Sequence, residues 1–516
     1  MTSRLVSAAT IFVACLAQLM IAVDVTVLYL AVPALTTQLG ASGESVLWIA
    51  DIYGFTMAGL LVTMGNLGDR FGRRRVLVYG AIAFAACSVL AAYAPTPELL
   101  IVARALLGVA GAAVLPATSS LLRAVFTTQQ ARTAAIGASA GVSAAGFAIG
   151  PIVGGLLLDS FWWGSVFLVN VPVTALILVA AKYVPESRTP EPLRLDLFSV
   201  VLSVIGVVAV VYAVKGAFYT GLWHADVLAA LGLGVAALAL FARRQLRLPV
   251  ALIDLRLFLD RGFAASVGSN LISVFTLAAF GLIISQYFQL VRGWSSIQSG
   301  LAYIPSALAA MLAGGLLAAR AVNRFGRSVS VALGLGLAVL GFAVFALIEA
   351  DSPYALVMVA QVAFGAGAGL TLTVTSDTIL GTVPRSRAGA AAAVSATAYE
   401  LGGSLGIAVV GSVLSGIYRA QLVLPAGVPA PMAEQVHESF YEALTVAAAL
   451  QDTIGAAVRN AAVTAFVDGI QVSMVFSAAV MAVLALIALR SLRGVPKVIE
   501  KDAVEEQGTA GGTPLS

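Results

Sequence analysis

Charge is scarce in this chain. Of 516 residues only 10% are Asp, Glu, Lys or Arg, whereas 60% are hydrophobic. A soluble protein covers its surface with about 25% charged residues, so the two or three soluble domains that the length would permit are excluded. Histidine and cysteine are scarcer still, with two of each. His224 and His437 fall in separate loops, and Cys15 and Cys87 fall within apolar runs. No metal site, disulfide framework or catalytic constellation can be assembled from them. A phosphate-binding loop of the form Gly-x-x-x-x-Gly-Lys-[Ser/Thr] is missing, which removes ATP as a direct energy source. The net charge of +4 does not point to nucleic acid, because the basic residues are scattered among short loops and not gathered on one face.

What the chain has in abundance is long apolar runs. A bilayer core requires about 20 apolar residues per helix. On that ruler spans are expected near 6–33, 46–66, 76–93, 98–122, 133–158, 163–181, 197–215, 225–241, 264–290, 298–319, 328–348, 354–380, 388–416 and 469–489. The first run is too long for a secretory signal and contains Asp24, so it reads as a retained span. With both termini cytoplasmic, 24 of the 29 Lys and Arg fall on the inner side. Only Arg292, Arg419 and Arg459 are left outside, with Arg104 and Lys215 in or at the edge of spans. That asymmetry is the positive-inside signature of a multi-pass protein of a bacterial inner (plasma) membrane.

Asp69-Arg70-Phe71-Gly72-Arg73 closes the second span and Asn323-Arg324-Phe325-Gly326-Arg327 closes the tenth. This repeat implies a duplicated six-helix unit with two helices inserted between the copies, as in alternating-access transporters. The expected organisation is a six-helix bundle over 1–184 and an insert over 185–262. A second bundle follows over 263–496, carrying an outer loop at 417–468, and 497–516 is read as a disordered cytoplasmic tail.

These motifs resemble the major facilitator superfamily, in particular its fourteen-helix drug:proton antiporter branch, over nearly the whole chain. The loop containing Gly65, Asp69, Arg70, Gly72 and Arg73 is similar to the family's Gly-x-Leu-Ala-Asp-Arg-x-Gly-Arg-Lys signature, and the resemblance implies a conformational latch. Span one carries Asp24-Val-Thr26, similar to the branch's Asp-x-Thr-Val-Val-Asn, with Tyr29 where the branch has Asn. Arg104-Ala-Leu-Leu-Gly108 resembles the Arg-x-x-x-Gly proton-transfer motif. Gly146, Gly150, Pro151, Gly154 and Gly155 match the antiporter pattern Gly-x-x-x-Gly-Pro-x-x-Gly-Gly. Glycines four apart allow close helix approach, and the proline makes a bend. Trp162-Trp163-Gly164 through Asn170-Val-Pro172 and Ala398-Tyr399-Glu400 through Gly406 also look like the branch.

Ionisable residues inside a span cost roughly 2.5–3.5 kcal/mol each, so each requires a reason. Asp24, Asp51 and Arg104 share a depth nearer the outer surface and are expected to meet in one polar cluster. Glu400 stands near the midplane of the other half. Burial disfavours a carboxylate's charge and a nearby arginine favours it, a competition that suits a group gaining and losing a proton. Proton coupling is therefore assigned to Asp24, Asp51, Arg104 and Glu400, the alternative for the first three being a static pair. Substrate binding is assigned to Asp24, Tyr29, Tyr399, Glu400 and Asp377, where acids hold a cation and aromatic faces support it.

The expected protein is an all-α integral membrane transporter with a major-facilitator-type fold, two six-helix bundles plus two inserted helices. It exports lipophilic cations against protons, needs no cofactor or metal, binds no nucleic acid and works as a monomer. An endogenous antibiotic, lipid or siderophore is the alternative cargo. A membrane enzyme lacks its constellation, and a passive channel would not need paired halves.

Overall fold

The computed structural model describes residues 3–126, 128–188, 196–217, 221–248, 255–383, 388–450, 452–493 and 495. The expected tail over 497–516 lies outside the described residues. Among the described residues there is no strand. In hydrocarbon every backbone polar group must be satisfied within its own segment, and apolar runs of this length leave only the helix. Within the described residues eleven helices are long and apolar enough to cross a membrane, or twelve when Gly43–Leu61 and Thr63–Phe71, bent by 52°, are one span. The shorter apolar helices Ser165–Ala181 and Phe198–Val214 occupy the sixth and seventh expected positions.

The first half comprises α1 (Ser3–Leu39), α2 (Gly43–Phe71), α3 (Arg73–Ala92), α4 (Pro97–Val125), α5 (Gln129–Ser160), α6 (Ser165–Leu168) and α7 (Asn170–Ala181). An inserted pair follows, α8 (Leu197–Gly216) and α9 (Ala225–Arg247). The second half comprises α10 (Arg261–Gln286), α11 (Ser296–Leu301), α12 (Ile304–Leu312), α13 (Ala318–Phe325), α14 (Arg327–Phe345), α15 (Tyr354–Gly381) and α16 (Ala388–Gln421), then α17 (Ala430–Glu438), α18 (Phe440–Ala449) and α19 (Asp452–Ser491). The two halves repeat one packing plan. Helix α1 lies on α5, α4 and α7 as α10 lies on α16, α15 and α19, and α2 on α4 corresponds to α12 on α15. Each half has its own apolar core.

The tenth expected span is one continuous stretch, Ser296–Phe325, with irregular helical turns within it. A π-helical turn over Ala313–Leu317, containing Gly314 and Gly315, separates α12 from α13, and Pro305 sits in the first turn of α12. Helix α1 runs six residues past the expected end at Pro33, because the hydroxyls of Thr36 and Thr37 donate to carbonyls one turn back, including that of Pro33. Helix α19 has 40 residues, about 60 Å at 1.5 Å per residue, twice the roughly 30 Å hydrocarbon core. Its first part therefore projects from the bundle and packs with α18, where Phe440 stacks on Phe466 at 4.2 Å and the Tyr418 hydroxyl donates to the Val436 carbonyl at 2.9 Å. The expected outer loop is thus folded against the second half.

Between α8 and α9 the Tyr212 hydroxyl donates to Asp226 at 3.1 Å at one end, and a larger group of polar contacts lies at the other. Arg244 donates to both oxygens of Asp196 at 3.0 Å, and Gln245 donates to Ser199 at 2.8 Å. The Arg244 guanidinium holds the Asp196 carboxyl below the usual carboxylate range. This end is the one that carries the Arg70–Arg75 and Arg324–Arg327 loops, and it is called the basic end below.

Candidate functional site

Asp24 and Arg104 form an ion pair at 2.6 Å, with side chains 0% and 1% exposed. The surrounding residues satisfy what a buried pair leaves over. Asn170, at the start of α7, donates to the second Asp24 oxygen at 2.8 Å and to Ser88 at 3.1 Å. Arg104 Nε donates to the Ile49 carbonyl at 3.1 Å, and its guanidinium carbon lies 4.5 Å from the Tyr53 ring centroid and 5.8 Å from that of Phe167. Helices α1, α2, α3, α4, α6 and α7 therefore converge on one charge pair.

The expected third member, Asp51, is on the same helix as two of these partners, Ile49 and Tyr53. Asp51 is fully buried, but Arg104 addresses Ile49 and Tyr53, which are four residues apart and share one face of α2. Asp51 is two residues from each, about 200° around the helix. It falls on the stripe of Trp48, Phe55 and Gly59 that faces α8. Asn170, Ser88 and Tyr53 join the Asp24–Arg104 pair as partners that the sequence reading did not assign. An Asn inside an apolar run was the available signal for Asn170.

Glu400 sits half-buried on α16 where that helix crosses α2. A Cβ on Gly54 would collide with the Ser404 side chain and lie 3.3 Å from the Glu400 carbonyl, so glycine alone permits this crossing. Among the described residues none of the ion pairs involves Glu400. Tyr29, Tyr53 and Tyr399 lie within electrostatic reach of its carboxylate. Across the halves, the Tyr399 and Phe147 rings are 6.4 Å apart. The crossing brings Glu400 of the second half within electrostatic reach of Tyr53, whose ring meets Arg104. Two sites assigned to separate halves are thus neighbours.

The antiporter motif divides into two faces. Gly146, Gly150 and Gly154 receive α1, where added Cβ atoms would meet Ala22, Thr26 and Val27. Gly155 and Pro151 face the second half, with Gly155 against Ile297 and the Pro151 carbonyl against Gly300. One turn further, Asp159 accepts from the backbone N–H groups of Ser296 and Ile297 at 3.1 and 3.4 Å, a cap supplied to α11 by the other half. A second closure follows from Pro33. Lacking an N–H, it leaves the Tyr29 carbonyl free, and Ser285 of the second half donates to it at 2.8 Å. Gln289 reaches the Leu30 carbonyl at 3.3 Å. These contacts close the end opposite the basic end.

The latch residues contact one another and the start of the segment that leads to the insert. Asp69 pairs with Arg73 at 2.8 Å in the same turn, and Arg73 also donates to Ser187 at 3.1 Å. Gly72, at φ 111°, makes the reversal that only glycine adopts freely. Gly65 faces Pro116 of α4, and Arg70 lies over the Phe71 ring at 5.6 Å. In the second copy Asn323 replaces the acid, and Arg327 pairs instead with Asp377 of α15 at 2.6 Å. Asp377, assigned to substrate by the sequence, is 70% exposed at the basic end. Its partner is the loop of the second copy and not the buried pair. Its position near the end of its span, four residues from Gly381, made solvation legible but not its partner.

Comparisons with known proteins agree with this architecture. A family model described as Major Facilitator Superfamily matches residues 14–407. The multidrug efflux pump LfrA of Mycolicibacterium smegmatis is 42% identical over 461 residues, covering 89% of this chain and 91% of that protein. The methyl viologen resistance protein SmvA of Salmonella typhimurium is 36% identical over 461 residues, covering 89% and 92%. The puromycin resistance protein pur8 of Streptomyces alboniger is 34% identical, covering 79% and 81%. Among solved structures, a bacterial homolog of the human lysosomal transporter Spinster, inward-facing and unoccupied, shares the fold with a TM-score of 0.66 at 16% identity, covering 95% of this chain and 98% of that one. Duplicated halves, the Asp69–Arg73 turn and the Gly-Pro face on α5 are the features of one group of multi-pass membrane transporters, and this chain belongs to the Major Facilitator Superfamily.

Proposed function

We propose that this chain is a proton-coupled exporter of lipophilic, cationic drugs and dyes, working by alternating access as a monomer in the bacterial plasma membrane. Its basic end and both termini face the cytoplasm, following the loop arginines, and its spans number fourteen when the shorter helices Ser165–Ala181 and Phe198–Val214 are included. Relatives named as efflux pumps and resistance proteins support export of small molecules. The observation that carries the reading is Glu400, an acid without an ion-pair partner among the described residues, set among tyrosines at the crossing of the halves.

An aromatic surround favours a cation over a neutral guest, and an acid in an apolar site exchanges a proton for that cation. Tyr53, within electrostatic reach of Glu400, also meets Arg104 of the Asp24–Arg104 pair. Protonating Asp24 releases Arg104, whose contacts include two α2 groups, and α2 crosses α16 at Gly54. With the outer end closed, the state described is the one that loads from the cytoplasm.

The test is uphill efflux in proteoliposomes driven by an imposed pH gradient. The unsubstituted chain is expected to concentrate a cationic dye. Glu400→Gln keeps size and hydrogen bonding but is expected to lower cation export about thirtyfold, equivalent to roughly 2 kcal/mol, while sparing a neutral lipophile. Equal loss for both cargoes, or none, would contradict the assignment.

A further inference from the structure

On either side of the α1–α10 contact a seam joins the halves, and among the described residues α8 covers one of the two. Along the first, α2 meets α16, and α8 runs outside this line antiparallel to α2. The Trp48 and Tyr212 rings are 6.4 Å apart, Phe55 packs with Val211 and Ala408, and a Cβ on Gly59 would lie 2.5 Å from Val204 Cγ2. From Trp48 to Gly59 the cover extends over about 16 Å of helix. Leu401, the neighbour of Glu400, and Leu405 pack on the same apolar cluster. Asp51, fully buried, lies on the α2 stripe under α8. Removing α8 would turn that carboxyl toward hydrocarbon, where an acid is strongly disfavoured.

The second seam, α5 against α11–α13, has no such cover among the described residues. It touches at Gly155–Ile297 and Pro151–Gly300 and then diverges toward the basic end. Leu308 and Met311 are exposed, and a Cβ at Gly141 or at Gly315 would meet nothing within 4 Å. The apex of the divergence is the Phe147–Tyr399 pair beside Glu400.

We propose that inserted helix α8 is a fixed lateral seal over the α2–α16 seam, so that lipid-dissolved substrates reach Glu400 from the cytoplasmic leaflet through the opposite seam, between α5 and α12–α13. The route rests on the reading of the chain as an exporter of lipophilic cations. The seal rests on packing alone. A lipophilic cation collects at the membrane interface with its apolar body in the acyl region. The open seam presents apolar walls at that depth and aromatic rings at its apex, whereas α8 closes the other seam with apolar packing.

The seal is tested by tethering. In a chain with Cys15 and Cys87 replaced by serine, Gly59→Cys and Val204→Cys place Cβ atoms 3.6 Å apart, within the range of a disulfide. The oxidised protein is expected to export ethidium, which enters lipid, and methyl viologen, a water-soluble dication, at rates within about twofold of the reduced protein. Loss of turnover on oxidation, restored by reductant, would show that α8 must leave the seam and overturn the seal.

The route is tested by filling the open seam. Gly315→Trp, and separately Met311→Trp, are expected to raise the KM for ethidium about tenfold while moving that for methyl viologen less than about twofold. Val201→Trp, on the exposed face of α8, is expected to move neither. Equal changes for the two cations, or a larger effect from Val201→Trp, would overturn the route. Either failure leaves the exporter reading standing, because that is measured on the reduced, unsubstituted chain.

Discussion

At the depth where the first half holds an ion pair, the second half holds a glycine and an amide. Gly281 and Gln361 lie 257 residues on from Asp24 and Arg104, on α10 and α15, the counterparts of α1 and α4. Arg104 and Gln361 are each the eighth residue of their helix, and a glycine follows each by four, Gly108 and Gly365. The Gly281 carbonyl accepts from the Tyr303 hydroxyl. The Gln361 side chain is fully buried, and its amide atoms have no partner among the described residues. The adjoining core is a cluster of phenylalanines, Phe280, Phe342 and Phe364, with ring centroids 4.3–5.9 Å apart. Duplication kept the helix packing in both copies and kept the charge pair in one. The second half's contribution to the chemistry, Glu400, arises instead at the seam.

Exchanging the character of the two positions breaks the comparison most severely. Arg104→Gln imposes the second half's residue on the first and leaves Asp24 buried without its counter-ion, a loss of about 3–5 kcal/mol. A large fall in melting temperature and no uphill transport are expected. Gln361→Leu removes an amide whose burial without a partner costs about 1–3 kcal/mol, so the melting temperature is expected to rise while dye efflux is unchanged. Destabilisation by Gln361→Leu would show that the amide has partners of its own and that the second half is not the neutral copy.

The basic-end loops allow a finer version of the same comparison, with smaller effects. Asp69–Arg73 closes within one turn, whereas Arg327 borrows Asp377 from the neighbouring helix α15. Both pairs are partly exposed, so each contributes up to about 1 kcal/mol. Asp69→Asn and Asp377→Asn are each expected to slow turnover by up to about fivefold, and Asn323→Ala less than either. A null result at Asp377 beside a clear loss at Asn323→Ala would remove the second latch, as read from turnover in proteoliposomes.

The sequence carried the helices because membrane burial imposes a length and an apolar composition that side-chain detail cannot override. Asp24, Arg104 and Glu400 were legible for the same reason, since each is an expense in an apolar run. What was not legible depends on angles about helix axes and on crossings between distant segments. Asp51 has the right depth, yet it faces α8 because it is two residues, and not four, from Tyr53. Asp377 was grouped with the acids, although its partner is set by how α14 starts beside α15. Asp159 drew no attention at the end of its span, because its role requires knowing that α11 begins opposite. The cover that α8 lays over one seam follows from packing against two helices separated by some 350 residues of sequence, for which no local signal exists.

The most direct test of the division between a titrating first half and a cation-binding seam is Asp24→Asn in proteoliposomes, measured twice on one preparation. The amide keeps the size of the carboxylate but has one acceptor oxygen, so it retains one of the two bonds from Asn170 and Arg104 and loses the charge that Arg104 answers. Under an imposed pH gradient, uphill export of every substrate should fall to background, whereas downhill exchange of labelled for unlabelled cation, which needs no net proton movement, should continue. Uphill accumulation by Asp24→Asn at the rate of the unsubstituted chain would contradict the account.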